Sequence, residues 1–270
     1  MIKLKEDEFN AITSYIHTNY GVDLRKKRHL IEGRLSNHIA QLGYTNYMDY
    51  FEFVKSDKKN EEATVLINKL TTNHTYFLRE SEHFDYYKKQ VLPWIEETTK
   101  TRDLRVWSAG CSSGQEPYTL SMITRDYLSS SLGSWDSTIL ASDISDKVLS
   151  IAKSGVYSKE ELSKVPLEWK KKYFVDYDEE YMRVSDALRK GVAYRNFNLL
   201  SRFQFKKPFQ AIFCRNVMIY FDKPTKNEIV RKFYDSLLPG GYFFIGQSES
   251  LASVDHSFKY VQPSIYQKEY

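Results

Sequence analysis

Val-Trp-Ser-Ala-Gly-Cys-Ser-Ser-Gly-Gln-Glu, residues 106–116, runs from an apolar stretch into a glycine-punctuated turn, and Thr-Ile-Leu-Ala-Ser-Asp, 138–143, is a second short apolar run closed by an acid. In an open α/β sheet the turn after the first strand lets backbone approach a ligand. The acid ending the next strand accepts hydrogen bonds from ribose hydroxyls. Together the two segments predict a site for a nucleoside-type ligand. Each also has an ordinary alternative. The turn can be a plain strand-to-helix connection in which Glu116 and Pro117 open the helix, and Asp143 can be the N-cap of the segment that follows.

Outward from this core the chain alternates strand, turn and helix. Residues 104–109 read as a strand, 117–128 as a helix, 138–142 as a strand and 146–154 as a helix, the βαβα rhythm of a parallel sheet. It resumes with strands at 192–197 and 210–214, a helix near 225–238, and a strand at 242–245 after Pro-Gly-Gly; 258–267, around Pro263, reads as a terminal antiparallel hairpin. An acidic turn flanked by aromatic and β-branched residues places a small inserted hairpin at 173–190. Before the sheet the signals are helical. Phe9, Ile12 and Ile16, then Ile31, Leu35, Ile39 and Leu42, line helix faces; Gly21, Gly43 and the polar run 56–60 separate them, and a last helix covers 61–70. The expected organisation is a helical domain at 1–70, a linker at 71–92 that contributes to the active site, and an α/β domain at 93–270.

At 270 residues and 41% hydrophobic, the chain can bury a sizeable core. Its 39 basic and 35 acidic side chains leave a formal charge of +4, too near balance for wholesale binding to a nucleic-acid backbone. Cys111 and Cys214 stand in apolar surroundings, without metal-ligand spacing or a disulfide framework. The N-terminus is acidic where a signal sequence would be apolar, and no apolar run reaches about 18 residues. A cytoplasmic protein with no membrane insertion, no nucleic-acid partner and no metal is expected.

The turn at 110–116 lacks the Gly-Lys-Ser/Thr ending of a P-loop and the full set of dinucleotide-fingerprint glycines. Glu116 would repel phosphates but attract the ammonium of an amino acid. A ligand with a nucleoside at one end and an amino acid at the other satisfies both, and S-adenosylmethionine has that shape. Arg215 and Asn216 end the apolar run 210–214, where such sheets bind ligands, although Arg215 can equally snorkel and Tyr220 pack in the core. Base methylation is disfavoured, because the Asn/Asp-Pro-Pro-aromatic motif is absent there. The segment 71–80 is dense in hydrogen-bonding side chains and His74 has no partner nearby in sequence; both also read as a polar linker. Arg25, Lys26, Lys27, Arg28, His29 and Arg34 form a basic cluster, either a solvated face or a docking surface for an acidic partner.

TTNHTYFLRE, VWSAGCSSGQEPYTL, ASDISDKVLSIAKSGVY, NFNLL, IFCRNVMIYF and LLPGGYFFIGQSES, in that order, closely resemble the CheR family, the bacterial chemotaxis receptor glutamate methyltransferases. The resemblance spans nearly the whole chain. It implies a Rossmann-like class I S-adenosylmethionine-dependent methyltransferase sheet with an inserted antiparallel hairpin, preceded by an all-α domain. The implied reaction esterifies glutamate side chains of methyl-accepting chemotaxis receptors and leaves S-adenosylhomocysteine. By the same resemblance Asn73, Thr75, Arg79, Glu116, Asp143, Asn198, Leu199, Arg215 and Asn216 contact the cofactor, and Arg79 and Tyr220 lie nearest the methyl group. Arg25, Lys26, Lys27, Arg28 and Arg34 match the family's basic helix, which docks the receptor's helical methylation region. One departure stands out. Family members that tether to a receptor C-terminal pentapeptide do so through a longer, more glycine-rich hairpin turn than the one at 175–181, so action without the tether is expected. The competing expectations are a methyltransferase of another protein or small-molecule carboxylate, and a non-enzymatic module that binds S-adenosylmethionine.

Overall fold

The protein is described by a computed structural model covering residues 2–58, 61–72 and 74–269. Asn73, and Lys59 and Asn60 of the polar run before the fourth helix, lie outside the described residues. Four helices come first: α1 (Glu6–Tyr20), α2 (Arg28–Gln41), α3 (Tyr47–Ser56) and α4 (Glu61–Leu70). The stripe residues Phe9, Ile12, Ile16, Ile31, Leu35 and Ile39 pack with Tyr47, Tyr50, Phe51 and Leu66 in one apolar cluster. Leu42 departs from its stripe and is 45% exposed, because α2 ends at Gln41 and Gly43, at φ +86°, turns the chain away.

The helical region continues past residue 70. α5 (Ser81–Tyr86), a π turn (Tyr87–Val91) and α6 (Leu92–Thr98) follow one another without a break. Pro93, where the rhythm of the sequence changes, therefore sits inside a helix. The Leu92 amide reaches back to the Tyr87 carbonyl, and this wide turn makes room for a ring that has no N–H to donate.

The remainder is β1 (Val106–Ala109), α7 (Gln115–Leu128), β2 (Ile139–Asp143), α8 (Asp146–Ser154), β3 (Val156–Ser158), α9 (Leu167–Tyr173), β4 (Phe174–Asp176), β5 (Tyr181–Val184), α10 (Asp186–Arg189), β6 (Val192–Asn196), β7 (Phe209–Cys214), α11 (Lys223–Ser236), β8 (Leu237–Ile245), β9 (Lys259–Gln262) and β10 (Ile265–Gln267). The main sheet has seven strands in the order β6-β2-β1-β7-β8-β10-β9. Pairing is parallel from β6 through β8, and the β9–β10 hairpin adds antiparallel at the edge. From β1 the chain builds outward to β2 and β6, then crosses to β7 on the other side of β1. The strand order thus reverses between β1 and β7, and α/β sheets bind ligands at the carboxyl ends of the strands flanking such a reversal.

Two details differ from the sequence reading. The inserted hairpin belongs to a three-stranded sheet, β3-β5-β4, whose extra strand directly follows Gly155 and is too short to show alternation. The Pro-Gly-Gly at 239–241 lies within β8, where Gly240 and Gly241 exchange backbone hydrogen bonds with Lys268. Trp107, fully buried on β1, meets the rings of Phe197, Phe203, Phe205, Phe209 and Phe233, and Phe213 of β7 stacks on Phe244 of β8 at 4.1 Å. These contacts fix the strands whose ends carry the site.

Candidate active site

Gly110 ends β1 at φ +79°, a conformation open to glycine, and a Cβ there would stand 2.4 Å from Cγ2 of Val217. The chain beyond β1 therefore passes close against the chain beyond β7. The amides of Gly110 and Cys111 both donate to the Ser142 carbonyl, and the Ser112 amide donates to Oδ2 of Asp143 at 2.9 Å. The Ser145 amide donates to Oδ1 at 3.0 Å. The N-cap of α8 is Ser145, whose hydroxyl accepts from the Val148 amide, so Asp143 does not have that role. Burial pushes the Asp143 carboxyl above its ordinary pKa, against the opposing hydrogen bonds from the Ser145, Ser112 and Ile144 amides. A carboxylate offers about four acceptor positions. Asp143 can accordingly still take a hydroxyl donor.

Glu116 lies in the first turn of α7. Its Oε1 accepts from the Ser108 hydroxyl at 2.7 Å and its Oε2 from Arg215 Nη1 at 2.9 Å. The Arg215 side chain is only 2% exposed, so it does not snorkel. Its Nη2 donates to Oε2 of Glu80 at 3.1 Å and to the Arg79 carbonyl, its guanidinium stands over the Phe84 ring, and its Nε has no partner among the described residues. Asn216, at φ +60°, donates from its side chain to Oε1 of Glu80. Glu249 takes the amides of Asn216, Ile219 and Gly246 and fixes the loop after β7 to the loop after β8. Glu80 and Glu249 were not singled out by sequence reasoning. Glu80 adjoins Arg79, and an acid beside a site arginine was the one available signal.

The linker completes the arrangement. Arg79 donates from Nη1 to the His74 carbonyl at 2.8 Å, its Nε is 4.0 Å from Glu80 Oε1, and its guanidinium faces the Tyr76 ring. The Tyr220 hydroxyl donates to the Thr72 carbonyl and accepts from the Thr72 amide. Asn198 spans the two halves, donating from its side chain to the Asn19 carbonyl and accepting from the Leu200 amide. Val22 forms an antiparallel bridge with Phe221, and the Asp23 amide donates to the Tyr220 carbonyl. The helical half is thereby closed over the carboxyl ends of the strands.

Between the halves lies a cavity of about 460 Å³. Thr75, Arg79, Glu116, Asp143, Asn198, Leu199, Arg215, Asn216 and Tyr220 all line it, together with Gly110 and Ser112. Cys111 also lines it and Cys214 is fully buried; burial raises both thiols well above their ordinary pKa, so neither is an activated nucleophile. Among the described residues, no three His, Cys, Asp or Glu side chains gather where they could hold a metal ion. No helix among them is long and apolar enough to cross a membrane.

None of the basic cluster is among the residues that line the cavity, and its members differ. Arg25 pairs with Asp23 and Asp222; Arg28 bonds the Leu4 carbonyl and Glu6. Arg34 donates to the Lys69 and Thr71 carbonyls and to the Thr72 hydroxyl. Lys26 and Lys27 are exposed.

A reversal of strand order with a glycine turn at the end of β1, an acid at the end of β2 and a carboxylate in the first turn of the next helix defines the protein as a class I methyltransferase. The residues present suit S-adenosylmethionine. The cavity falls within the range of about 300–1,000 Å³ usual for small-molecule sites, Asp143 retains acceptor capacity, and Gly110 contributes to the lining. A profile described as CheR methyltransferase, SAM binding domain, matches residues 73–266, and one described as CheR methyltransferase, all-alpha domain, matches residues 7–71. The chain is 38% identical to a chemotaxis protein methyltransferase of Borreliella burgdorferi, over 99% of this chain and 96% of that one. It is 35% identical to the chemotaxis protein methyltransferase of Escherichia coli, over 98% and 92% respectively. This chain belongs to the CheR methyltransferase family, and its cofactor is S-adenosylmethionine.

Proposed function

We propose that the protein transfers the methyl group of S-adenosylmethionine to glutamate carboxylates of chemotaxis receptors, giving glutamyl methyl esters and S-adenosylhomocysteine. The observation that carries this is that Arg79 and Tyr220, from distant parts of the chain, line the same cavity as Glu116 and Asp143. When bound, the cofactor supplies a methyl group on a sulfonium, an electrophile that needs no further activation. Asp143 accepts from the ribose, Glu116 holds the ammonium, and Thr75, Asn198, Leu199, Arg215 and Asn216, which line the same cavity, complete the enclosure.

A glutamate has a reference pKa near ~4.3 and is ionised at neutral pH. The acceptor therefore needs no general base, in keeping with a lining in which, among the described residues, no histidine is paired with an acid. The protein's task is alignment and exclusion of water, and orientation of this kind can lower a barrier by roughly 7–11 kcal/mol. A guanidinium has five N–H donors. Arg79 spends one on His74, leaving others to clamp and aim the carboxylate. Because the Tyr220 hydroxyl is engaged with Thr72 as donor and acceptor, the part it offers the cationic sulfur is its ring.

Receptor docking falls to the basic face at the start of α2, with the Lys26 and Lys27 side chains exposed and, among the described residues, without internal partners. The exposed turn between β4 and β5 carries Asp178, Glu179 and Glu180 and no glycine, and the protein acts without the pentapeptide tether. Alkali treatment of the methylated product tests the reaction type. Release of label as methanol is expected for a carboxyl ester; base-stable label would point to nitrogen methylation instead.

A further inference from the structure

Glu80 is the acid around which the cavity wall is assembled. It occupies a left-handed conformation (φ +55°) at the start of α5, with its side chain 12% exposed. Its two oxygens accept from Arg215 Nη2 at 3.1 Å, from the Asn216 side chain at 3.2 Å and from the Gln247 amide at 3.1 Å, so one carboxylate joins the linker to the ends of β7 and β8. Burial would raise its pKa. The Arg215 guanidinium and these hydrogen bonds outweigh burial, and the carboxyl is held below its ordinary value.

The consequence concerns the carboxylate on the other side of Arg215. That guanidinium is shared, with Nη1 on Glu116 and Nη2 on Glu80. Alone with Glu116, Arg215 would neutralise it, and an incoming ammonium would have to displace a buried ion pair. With Glu80 present, Arg215 is divided between two carboxylates and its hold on Glu116 is weakened, while the second cation nearby, Arg79, pairs with Glu80 at 4.0 Å. We infer that Glu80 is a positioning residue that draws Arg215 off Glu116 and so keeps Glu116 available to the amino-acid end of the cofactor. This rests on the ammonium-binding role of Glu116 proposed above.

The test compares two ligands by calorimetry: S-adenosylhomocysteine, and methylthioadenosine, which keeps the nucleoside and sulfur but has no amino-acid end. In Glu80→Gln the affinity for S-adenosylhomocysteine is expected to fall by about tenfold or more, the scale of one lost charge-assisted interaction. Methylthioadenosine binding should stay within about twofold of wild type, which also reports that the nucleoside pocket is folded. Glu80→Asp, which keeps the charge, should lie between, and it carries the comparison on its own if the glutamine variant does not fold. Equal weakening of both ligands, or of neither, would overturn the role of Glu80. If the wild-type protein itself binds S-adenosylhomocysteine no more tightly than methylthioadenosine, the Glu116 assignment is what fails, and the Glu80 proposal falls with it.

Discussion

The Tyr220 phenol is hydrogen-bonded to the backbone of Thr72 in both directions, accepting from the amide and donating to the carbonyl, each at 3.0 Å. A residue just beyond β7 thus grips the linker as if it were a strand partner. Arg34 of α2 holds the same stretch from the helical side, through the Lys69 and Thr71 carbonyls and the Thr72 hydroxyl. The linker that carries Arg79 is therefore fixed from both halves of the protein.

Tyr220→Phe keeps the ring and removes both hydrogen bonds. Losing about 1–1.5 kcal/mol of linker placement is expected to lower kcat by about tenfold. The Kd for S-adenosylhomocysteine should change by less than about twofold. Steady-state kinetics beside calorimetry separates the two, and an unchanged kcat would show that the grip on Thr72 is unimportant.

Gly110→Ala places a methyl group 2.4 Å from Val217 Cγ2 in a left-handed backbone conformation. The conformational cost is about 1–2 kcal/mol and overpacking adds about 1–3 kcal/mol. Denaturant unfolding should show a loss in that combined range. Adding Val217→Ala should recover the overpacking part alone.

His83 is buried, and burial, aided by Arg215 and opposed by Glu80 and Glu82, lowers its pKa from 6.5 to about 4. The folded protein keeps this ring neutral while the unfolded chain protonates it near 6.5. Its contribution to stability is therefore present above pH 6.5 and is lost as the pH falls toward about 4. Over that window His83→Leu should lose less stability than wild type, by an amount on the order of 3 kcal/mol. Parallel pH–stability curves for the two proteins would contradict the assignment.

Charge reversal at Lys26 and Lys27 should reduce receptor methylation at low ionic strength and leave both cofactor affinity and unfolding unchanged, because both side chains are exposed and neither has a partner to lose among the described residues. Arg34→Glu should behave differently. It releases the end of α4 and the linker, so stability and turnover with any acceptor should fall together. Rates measured against salt separate the cases, since docking by exposed charges is screened.

Much of this architecture was legible in the sequence because the signals were local. The glycine turn at Gly110, the acid at Asp143 and the 3.6-residue stripes of α1 and α2 each express themselves within a few neighbouring residues. The network around Arg215 and Asn216 was not legible, because Glu80 and Glu116 meet Arg215, and Glu249 meets the Asn216 amide, only when the ends of β1, β7 and β8 are brought side by side. Nothing in the spacing of those acids announces it. The helical course through Pro93 was not legible either: a proline normally ends a helix, and the π turn that accommodates it leaves no compositional mark. The basic cluster was visible as composition, but its division into internally bonded arginines and free lysines depends on what α4, Leu4 and Asp222 place beside it.

Incubation of the protein with labelled S-adenosylmethionine and receptor cytoplasmic domains, followed by peptide mapping, decides the substrate. Label is expected on glutamate side chains of the receptor's helical methylation region, and it should be lost from Arg79→Ala while that variant still binds S-adenosylhomocysteine. Label on any other residue type, or none on the receptor with the cofactor bound, would contradict the proposed reaction.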